Sequence, residues 1–548
     1  MERQFETHEV INQVPPLTGY DVFGADAALA EAVDREGAAW ARPELENLGA
    51  LAGAAPTQEL GRLANEHPPT LHTHDRYGHR IDVVEYHPAY HELMRTSVAH
   101  GLHSGPWADP RPGAHVARAA KVITWYQVDA GHICPVSMTY AVVPALRHQR
   151  QVAAAWEPMI CSTTYDPSDR PVAQKLGVTC GMALTEKQGG SDVRANTTRA
   201  EPVGDRSEGI YLLTGHKWFC SAPMSDAFLI LAQAPGGISC FLTPRWLPDG
   251  TRNPIRIQRL KDKLGDRSNA SSEIELPGVT GRLIGEEGRG IRTIIEMVNH
   301  TRLDCVLGST SIMRQGVAQA TWHAGHRTVF GTVLADQPLM ANVLADLALE
   351  SEAATAAALR LARAYDAPAG DEREHLLQRL LTPIVKYWTC KRAPMHAAEA
   401  LECLGGNGFV EDSGLPRLLR QSPVNGVWEG SGNVICLDVL RALAREPDAL
   451  DAYWSEVAEA DSGDARLARA VDDLHVDLAD PGTLEPRARS IVERMALVYQ
   501  ASLLVRFAPS AVADAFCASR LGADGAGTFG TLPGGVDTSA ILKRHTPV

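Results

Sequence analysis

The sequence predicts an α+β protein of several domains: an N-terminal helical block, a compact β-barrel or sandwich domain, a second helical bundle and a further helical extension. Three observations carry this. At 548 residues the chain is too long for one small core. The spacing of apolar residues changes near Gly177, from helical to short strand-like runs, and returns to helical after Gly290. The last hundred residues hold another credible helix, Ile491–Phe507, with an apolar face. The boundaries expected are 1–175, 176–290, 291–445 and 446–548.

The first block reads as helices broken at Pro15-Pro16, Pro68-Pro69 and Pro106–Pro112, with a dense apolar stretch over Ala114–Ala145. In the second, Gly209–Leu213, Ala227–Ala232, Ile238–Leu242 and Glu273–Leu276 are short runs between turn residues. The last of these alternates Glu-Ile-Glu-Leu, as a half-buried strand does. In the third, Leu339, Val343 and Leu347 recur every four residues. Helices are also expected over Ala353–Tyr365, Lys386–Leu404 and Val434–Arg445.

Composition narrows the function. The chain carries 52 basic and 66 acidic side chains, a net charge of −14, which disfavours non-specific binding to nucleic acid or anionic membrane. Residues 441–548 hold 11 basic and 16 acidic side chains, so this extension offers no cationic surface by count. Asp461, Asp464, Asp472 and Asp473 surround Arg441, Arg445, Arg466 and Arg469, which reads as a solvated helix surface. No run of apolar residues is long enough for a membrane span, and the start lacks the blocks of a secretory signal. The ten cysteines form no CxxC pair, so free thiols in the cytoplasm are expected, without a metal site.

Five segments carry chemistry. In Thr185–Val193, hydroxyls flank Gly189-Gly190, where backbone can approach a flat or phosphorylated ligand; alone, such loops are mostly turns. Gly215–Ser221 closes a strand with Phe219, Cys220 and Ser221, suited to stacking on a ring while a hydroxyl fixes its edge, or simply a buried strand end. Arg327–Gly331 places a guanidinium beside Phe330; the alternative is an ordinary helix C-terminus ended by Gly331. Leu404–Phe409, with Gly405 and Gly406, exposes backbone after a helix. Val427–Asn433 holds Glu429 in a Gly-rich turn between helices, as a base or as a capping carboxylate.

Taken together and in this order, with a β domain between helical blocks, these segments resemble the acyl-CoA dehydrogenase family over about residues 60–445. Gly285–Gly290 followed by Arg302 fits that family's lead into its second helical domain. The AidB-like branch, associated with the adaptive response to alkylation, is the most similar. That similarity rests on Lys187-Gln188, on Leu260–Gly265 and Arg267–Ser271, and on Asn12-Gln13 with Pro15–Leu17. Glu59–Asn65 and the C-terminal extension add to it.

The resemblance implies FAD as cofactor and α,β-dehydrogenation of an acyl-CoA thioester, of a short or branched chain. It implies Glu429 as the base, its own N–H helping to polarise the thioester carbonyl. Some family members place the base before the arginine matched by Arg302; here that residue is Thr301, which cannot take a proton. Arg302 is expected near the substrate, together with Ser191, or ordering the pocket. Met182, Thr185, Gly190 and Ser191 are carried to the ring and ribityl chain. Phe219, Cys220 and Ser221 are carried to the isoalloxazine, and Ser431 and Asn433 to the phosphate side. Arg327, Phe330, Gly405 and Gly406 would touch the FAD of a neighbouring subunit, which implies a homo-oligomer, in this family usually a tetramer built as a dimer of dimers. An electron-transfer partner fits the same reading.

Other signals are set aside. Gly525–Gly530 matches GxGxxG but has no strand before it and Pro533 after it. His72, His74, His79, His87 and His91 lack matched carboxylate or thiol spacing, and His323 with His326 reads as a structural pair. Two alternative functions remain: a DNA-binding flavoprotein that limits alkylation damage with weak or vestigial dehydrogenation, and a scaffold turned to O₂ chemistry.

Overall fold

The computed structural model describes residues 7–368, 370–460, 463–522 and 527–547. The N-terminal block contains α1 (Ala27–Arg35), α2 (Arg42–Gly53), α3 (Ala55–Glu66), α4 (Pro88–Ala99), α5 (Gly105–Ala108), α6 (Ala114–Tyr126), α7 (Ile133–Leu146) and α8 (Arg150–Ile160). The glycine-free stretch predicted from Ala114 is α6, and with α7 it is buried on nearly every face. A helix apolar all round must sit inside the protein.

The helical block also holds a hairpin that the sequence pattern does not predict, β1 (Thr70–His74) paired with β2 (Arg80–Glu85). β1 buries no residue and β2 buries Asp82 and Val84, one polar and one apolar, so no apolar alternation marks them. The histidine group lies on and beside this hairpin. His72 meets Glu85, His79 meets Asp75, His87 caps α4 and His91 meets the Tyr165 hydroxyl.

The middle third contains β3 (Cys180–Ala183), β4 (Arg199–Pro202), β5 (Ile210–Ser221), β6 (Ala227–Ala234), β7 (Gly237–Pro244), β8 (Arg256–Leu260) and β9 (Ser271–Ile284). The order is β3-β6-β4-β5-β9-β7, and β6 also pairs with β7, so the sheet closes on itself. Closure removes exposed edges. The β5–β9 ladder runs the length of both strands and fixes the end of β5 against Ser271 and Ser272.

The bundle that follows is built from α9 (Gly290–His326), α10 (Pro338–Tyr365) and α11 (Glu372–Glu402), with a small hairpin, β10 (Thr328–Val329) and β11 (Thr332–Val333), after α9. Short helices α12 (Gly406–Phe409) and α13 (Leu415–Gln421) lead to α14 (Gly432–Arg445). One periodic position is misread: Leu339, at the first turn of α10, is 83% exposed, whereas Leu347 two turns on is buried.

The extension contains α15 (Asp448–Ala458), α16 (Ala465–Leu478), α17 (Leu484–Phe507), α18 (Ser510–Arg520) and α19 (Thr538–His545). It packs onto the bundle instead of standing apart, with α17 against α10, α11 and α14. Arg360 of α10 is buried between Glu374 of α11 and Glu456 of α15, making paired hydrogen bonds to both. Of the GxGxxG match, Gly525 and Ala526 lie outside the described residues. Gly527–Gly530 is irregular, with Phe529 packed on His396 and Arg392.

Candidate active site

The turn before α14 is held by cations from two other helices. Lys386 Nζ of α11 donates to the backbone oxygens of Trp428 at 3.0 Å and Gly430 at 2.5 Å. Arg302 Nε of α9 donates to the oxygen between them, that of Glu429, at 3.0 Å. Three successive carbonyls are thus claimed by the bundle. The turn needs this support, because Glu429 has φ +58° and Gly430 φ +112°. A non-glycine residue in the left-handed region costs about 1–3 kcal/mol and persists only where its surroundings enforce it.

Further bonds fix the clamp itself. Arg302 Nη1 meets Asp438 at 2.7 Å, and Arg379 meets the same carboxylate at 3.1 Å. Trp428 Nε1 donates to Asn425, whose amide reaches the Tyr126 hydroxyl. Sequence reasoning missed Lys386, Arg379 and Asp438, which sit in ordinary helical stretches with no local signal.

Burial pushes the Glu429 carboxyl up to about 7, against the lowering effects of Arg302, Lys386 and the Thr301 hydroxyl beside it. The side chain is only partly exposed. Behind Thr301, α9 presents His300 to a packed group of rings, Trp107, Tyr140, His115 and Tyr365, with centroids 5.0–6.3 Å from His300. His115 Nδ1 meets the Tyr140 hydroxyl at 2.7 Å, and burial lowers the pKa of both imidazoles, that of His300 to about 4. This polar floor is also absent from the sequence reading.

On the β side, strand alternation sorts the predicted residues. Phe219 is 50% exposed and Ser221 half-buried, whereas Cys220 between them is fully buried in the barrel core. Cys220 is therefore corrected: successive side chains of a strand face opposite ways, and its thiol points from the face that Phe219 and Ser221 share. Met182 on β3 and Thr185 are half-buried, and Ser191 is exposed. Gly190 folds back so closely that a Cβ there would lie 2.5 Å from the Thr185 hydroxyl. The loop is anchored by Glu186, which is fully buried, paired with Lys217 at 2.7 Å and bonded to Thr197 and Thr198.

Beyond the catalytic turn, Ser431 and Asn433 are exposed. Asn433 accepts a hydrogen bond from Arg489 of α17 at 2.8 Å, a contact from the C-terminal extension that the sequence did not signal. Arg327, Phe330, Gly405 and Gly406 make no side-chain hydrogen bond to this turn among the described residues. Phe330 is 97% exposed at the tip of the β10–β11 hairpin, where Phe330 and Gly331 have φ +53° and +80°. The alternative of a helix C-terminus ended by Gly331 holds only in part: α9 ends at His326 with Arg327 as its C-cap, and Gly331 turns the hairpin. Asn12 braces it, its side chain bonding both the N–H and the C=O of Thr328, while Arg327 donates to the Asn12 oxygen.

The arrangement offers an exposed aromatic face with a hydroxyl two residues on, a hydroxyl- and glycine-rich loop beside it, and a carboxyl poised near neutrality. That donor set fits a planar, hydrogen-bonding cofactor next to a carbon acid.

Three family models match the chain: the adaptive response protein AidB N-terminal domain over residues 12–167, the acyl-CoA dehydrogenase middle domain over 181–279 and its C-terminal domain over 288–444. The chain is 47% identical over 515 residues to the AidB protein of Escherichia coli, covering 94% of each. It is 31% identical over 420 residues to acyl-CoA dehydrogenase family member 11 of Caenorhabditis elegans, covering 73% of this chain and 67% of the other. The crystal structure of C. elegans ACDH-11 in complex with C11-CoA superposes with a TM-score of 0.85 at 26% identity, covering 94% of each chain.

Proposed function

Since the chain belongs to the acyl-CoA dehydrogenase family, in its AidB branch, we propose that it is an FAD-dependent oxidoreductase that dehydrogenates the α,β-carbons of an acyl-CoA. The observation that carries this is Glu429, a carboxyl raised to about 7 in a strained turn whose carbonyls are all claimed from behind.

Removing the α-proton of a thioester needs a positioned base and a polarised carbonyl. Glu429 takes the proton on its carboxylate. Its backbone N–H donates to the thioester oxygen, and the clamp by Arg302 and Lys386 keeps both groups aimed together. Bound FAD supplies the acceptor for the β-hydride. Phe219 and Ser221 hold the ring, with Met182, Thr185, Gly190 and Ser191 along its edge and ribityl chain and Ser431 and Asn433 toward the phosphates. Cys220 contributes backbone only.

Arg327, Phe330, Gly405 and Gly406 complete the cofactor site of a neighbouring subunit in a homotetramer. The nearly full exposure of Phe330 and the 80% exposure of Phe409 support that assembly. The packed floor of His300, His115, Tyr140 and Trp107 behind Thr301 supports a short or branched acyl chain. The C11 thioester bound by the worm protein makes longer chains a necessary arm of the test. Reoxidation falls to an electron-transfer partner. Ten free cysteines, nine of them buried, fit the reducing cytoplasm.

Among the described residues of the extension, most arginines are already paired, which does not favour DNA association. Arg466 pairs with Asp464 and Asp514, Arg487 with Asp477, Arg506 with Glu456 and Glu459, and Arg520 with Asp346 and Glu350. Asp461 of the predicted acidic surround lies outside the described residues.

The test is anaerobic titration of the flavin-loaded protein with acyl-CoAs of four to sixteen carbons, straight and branched. Bleaching by short or branched chains supports the full reading, and bleaching by long chains alone overturns the chain-length part. A flavin that no acyl-CoA reduces discards dehydrogenation.

A further inference from the structure

The segment Leu260–Ser271 marks the AidB-like branch in the sequence, yet the proposed chemistry uses none of it. In the structure it carries a half-buried lysine. Lys263 Nζ donates to the backbone oxygen of Asn269 at 2.6 Å and to the Ser271 hydroxyl at 3.3 Å. The Ser271 hydroxyl in turn lies 3.3 Å from that of Ser221. Ser221 is the residue assigned above to the flavin ring, so an ammonium stands two hydroxyls from the cofactor face.

The chemistry of the donors fixes the direction of the first link in this chain. An ammonium has three N–H donors and no acceptor, so Ser271 must accept from Lys263. Its own hydrogen is then free to be donated to Ser221, whose hydroxyl lies between Ser271 and the Cys134 thiol. Hydrogen bonds in such a series polarise one another in a low-dielectric interior.

The counter-charge is arranged at a distance. Asp266 has φ +50° and is buried, and neither of its carboxylate oxygens has a hydrogen-bond partner among the described residues. Burial pushes its carboxyl up to about 7, so it offsets the Lys263 charge only in part and without a direct bond. Cys134 and Asp129 are the other titratable groups that act on Lys263.

We propose that Lys263 is a positioning residue for the flavin: through Ser271 it orders the Ser221 hydroxyl at the ring, and its charge stabilises the electron-rich reduced form. The assignment rests on the FAD reading above. A cation held in a poorly screened site favours added negative charge nearby, so the effect must appear in the equilibrium between oxidised and reduced flavin, apart from turnover.

The experiment is the midpoint potential of the flavin-loaded protein, measured against reference dyes for wild type, Lys263→Met, Lys263→Arg and Ser271→Ala. At a poise where wild type is half reduced, Lys263→Met is expected to show a reduced-to-oxidised ratio at least tenfold lower, a shift of about 30 mV for two electrons. Lys263→Arg keeps the charge and should recover most of it. Ser271→Ala keeps the cation but cuts the chain, and should move the potential the same way by less. It also serves if Lys263→Met does not fold. Wild-type potentials in Lys263→Met with flavin still bound, or in Ser271→Ala where Lys263→Met does not fold, overturn the proposal while leaving the FAD reading intact. A wild-type chain that neither carries nor takes up FAD overturns that reading instead.

Discussion

Arg302 Nε donates to the backbone oxygen of Glu429 at 3.0 Å while its Nη1 meets Asp438 at 2.7 Å. One guanidinium therefore joins α9, the strained turn and α14. Arg302→Met leaves Asp438 with Arg379 and the more distant Arg441. It also leaves the Glu429 oxygen without its donor, while Lys386 still holds its neighbours. Unfolding free energy in urea is expected to fall by about 3 kcal/mol, and flavin reduction by acyl-CoA should slow as well. Arg302→Lys keeps the charge but cannot serve both acceptors from one planar group, so it should lie between the two.

The raised Glu429 carboxyl makes opposite predictions for rate and stability. The base is the ionised form, so reduction by acyl-CoA should rise with pH through about 7 and level off above it. For folding, a carboxyl whose pKa is about 7 in the native state and 4.5 when unfolded binds its proton more tightly when folded. Its contribution is full below 4.5 and is lost as pH rises to about 7. Glu429→Gln, which stays neutral, should therefore be more stable than wild type by about 1–3 kcal/mol at pH 8, after allowance for partial exposure. The difference should vanish near pH 4.5. Paired thermal or urea unfolding at the two pH values checks this, and an equal difference at both would refute it.

The sequence made the glycine-rich loops legible because a turn such as Trp428–Gly432 needs glycines at fixed places. The helical and β blocks were legible because their apolar spacing differs. What it hid were partners brought in by tertiary structure. Lys386 and Asp438 look like any helical charges until α11 and α14 flank the turn, and Arg489 meets Asn433 only because α17 lies across the bundle. The β1–β2 hairpin escaped because its buried face mixes polar and apolar residues, Asp82 beside Val84. Cys220 was assigned with its neighbours because a motif read as a string ignores the alternation that turns its side chain inward.

Asn12 braces the hairpin of Arg327 and Phe330 from outside. Thr328 and Val333 oppose each other beside a two-residue turn, so the N–H and C=O of Thr328 point outward, where the Asn12 amide bonds both. If that hairpin serves a neighbouring subunit's FAD, Asn12→Ala should weaken flavin retention in the same direction as Arg327→Ala, and by less. Flavin fluorescence released on warming reads this. Unchanged release from Asn12→Ala would detach the N-terminal segment from the cofactor site.

Arg360 ties the extension to the bundle through Glu374 and Glu456. Glu456→Ala removes the partner on α15 and leaves a buried guanidinium half-compensated. A loss of about 3–5 kcal/mol is expected, with protease cleavage appearing first in residues 446–548. Cleavage that starts elsewhere, at unchanged stability, would show that this pair does not hold the extension in place.

The most direct test of the central claim is the anaerobic rate at which the fastest-bleaching acyl-CoA reduces the flavin in wild type and in Glu429→Gln. With equal flavin content, loss of the base should slow reduction by about 10²–10⁴-fold. A Glu429→Gln protein that reduces within a few-fold of wild type would show that another group takes the α-proton.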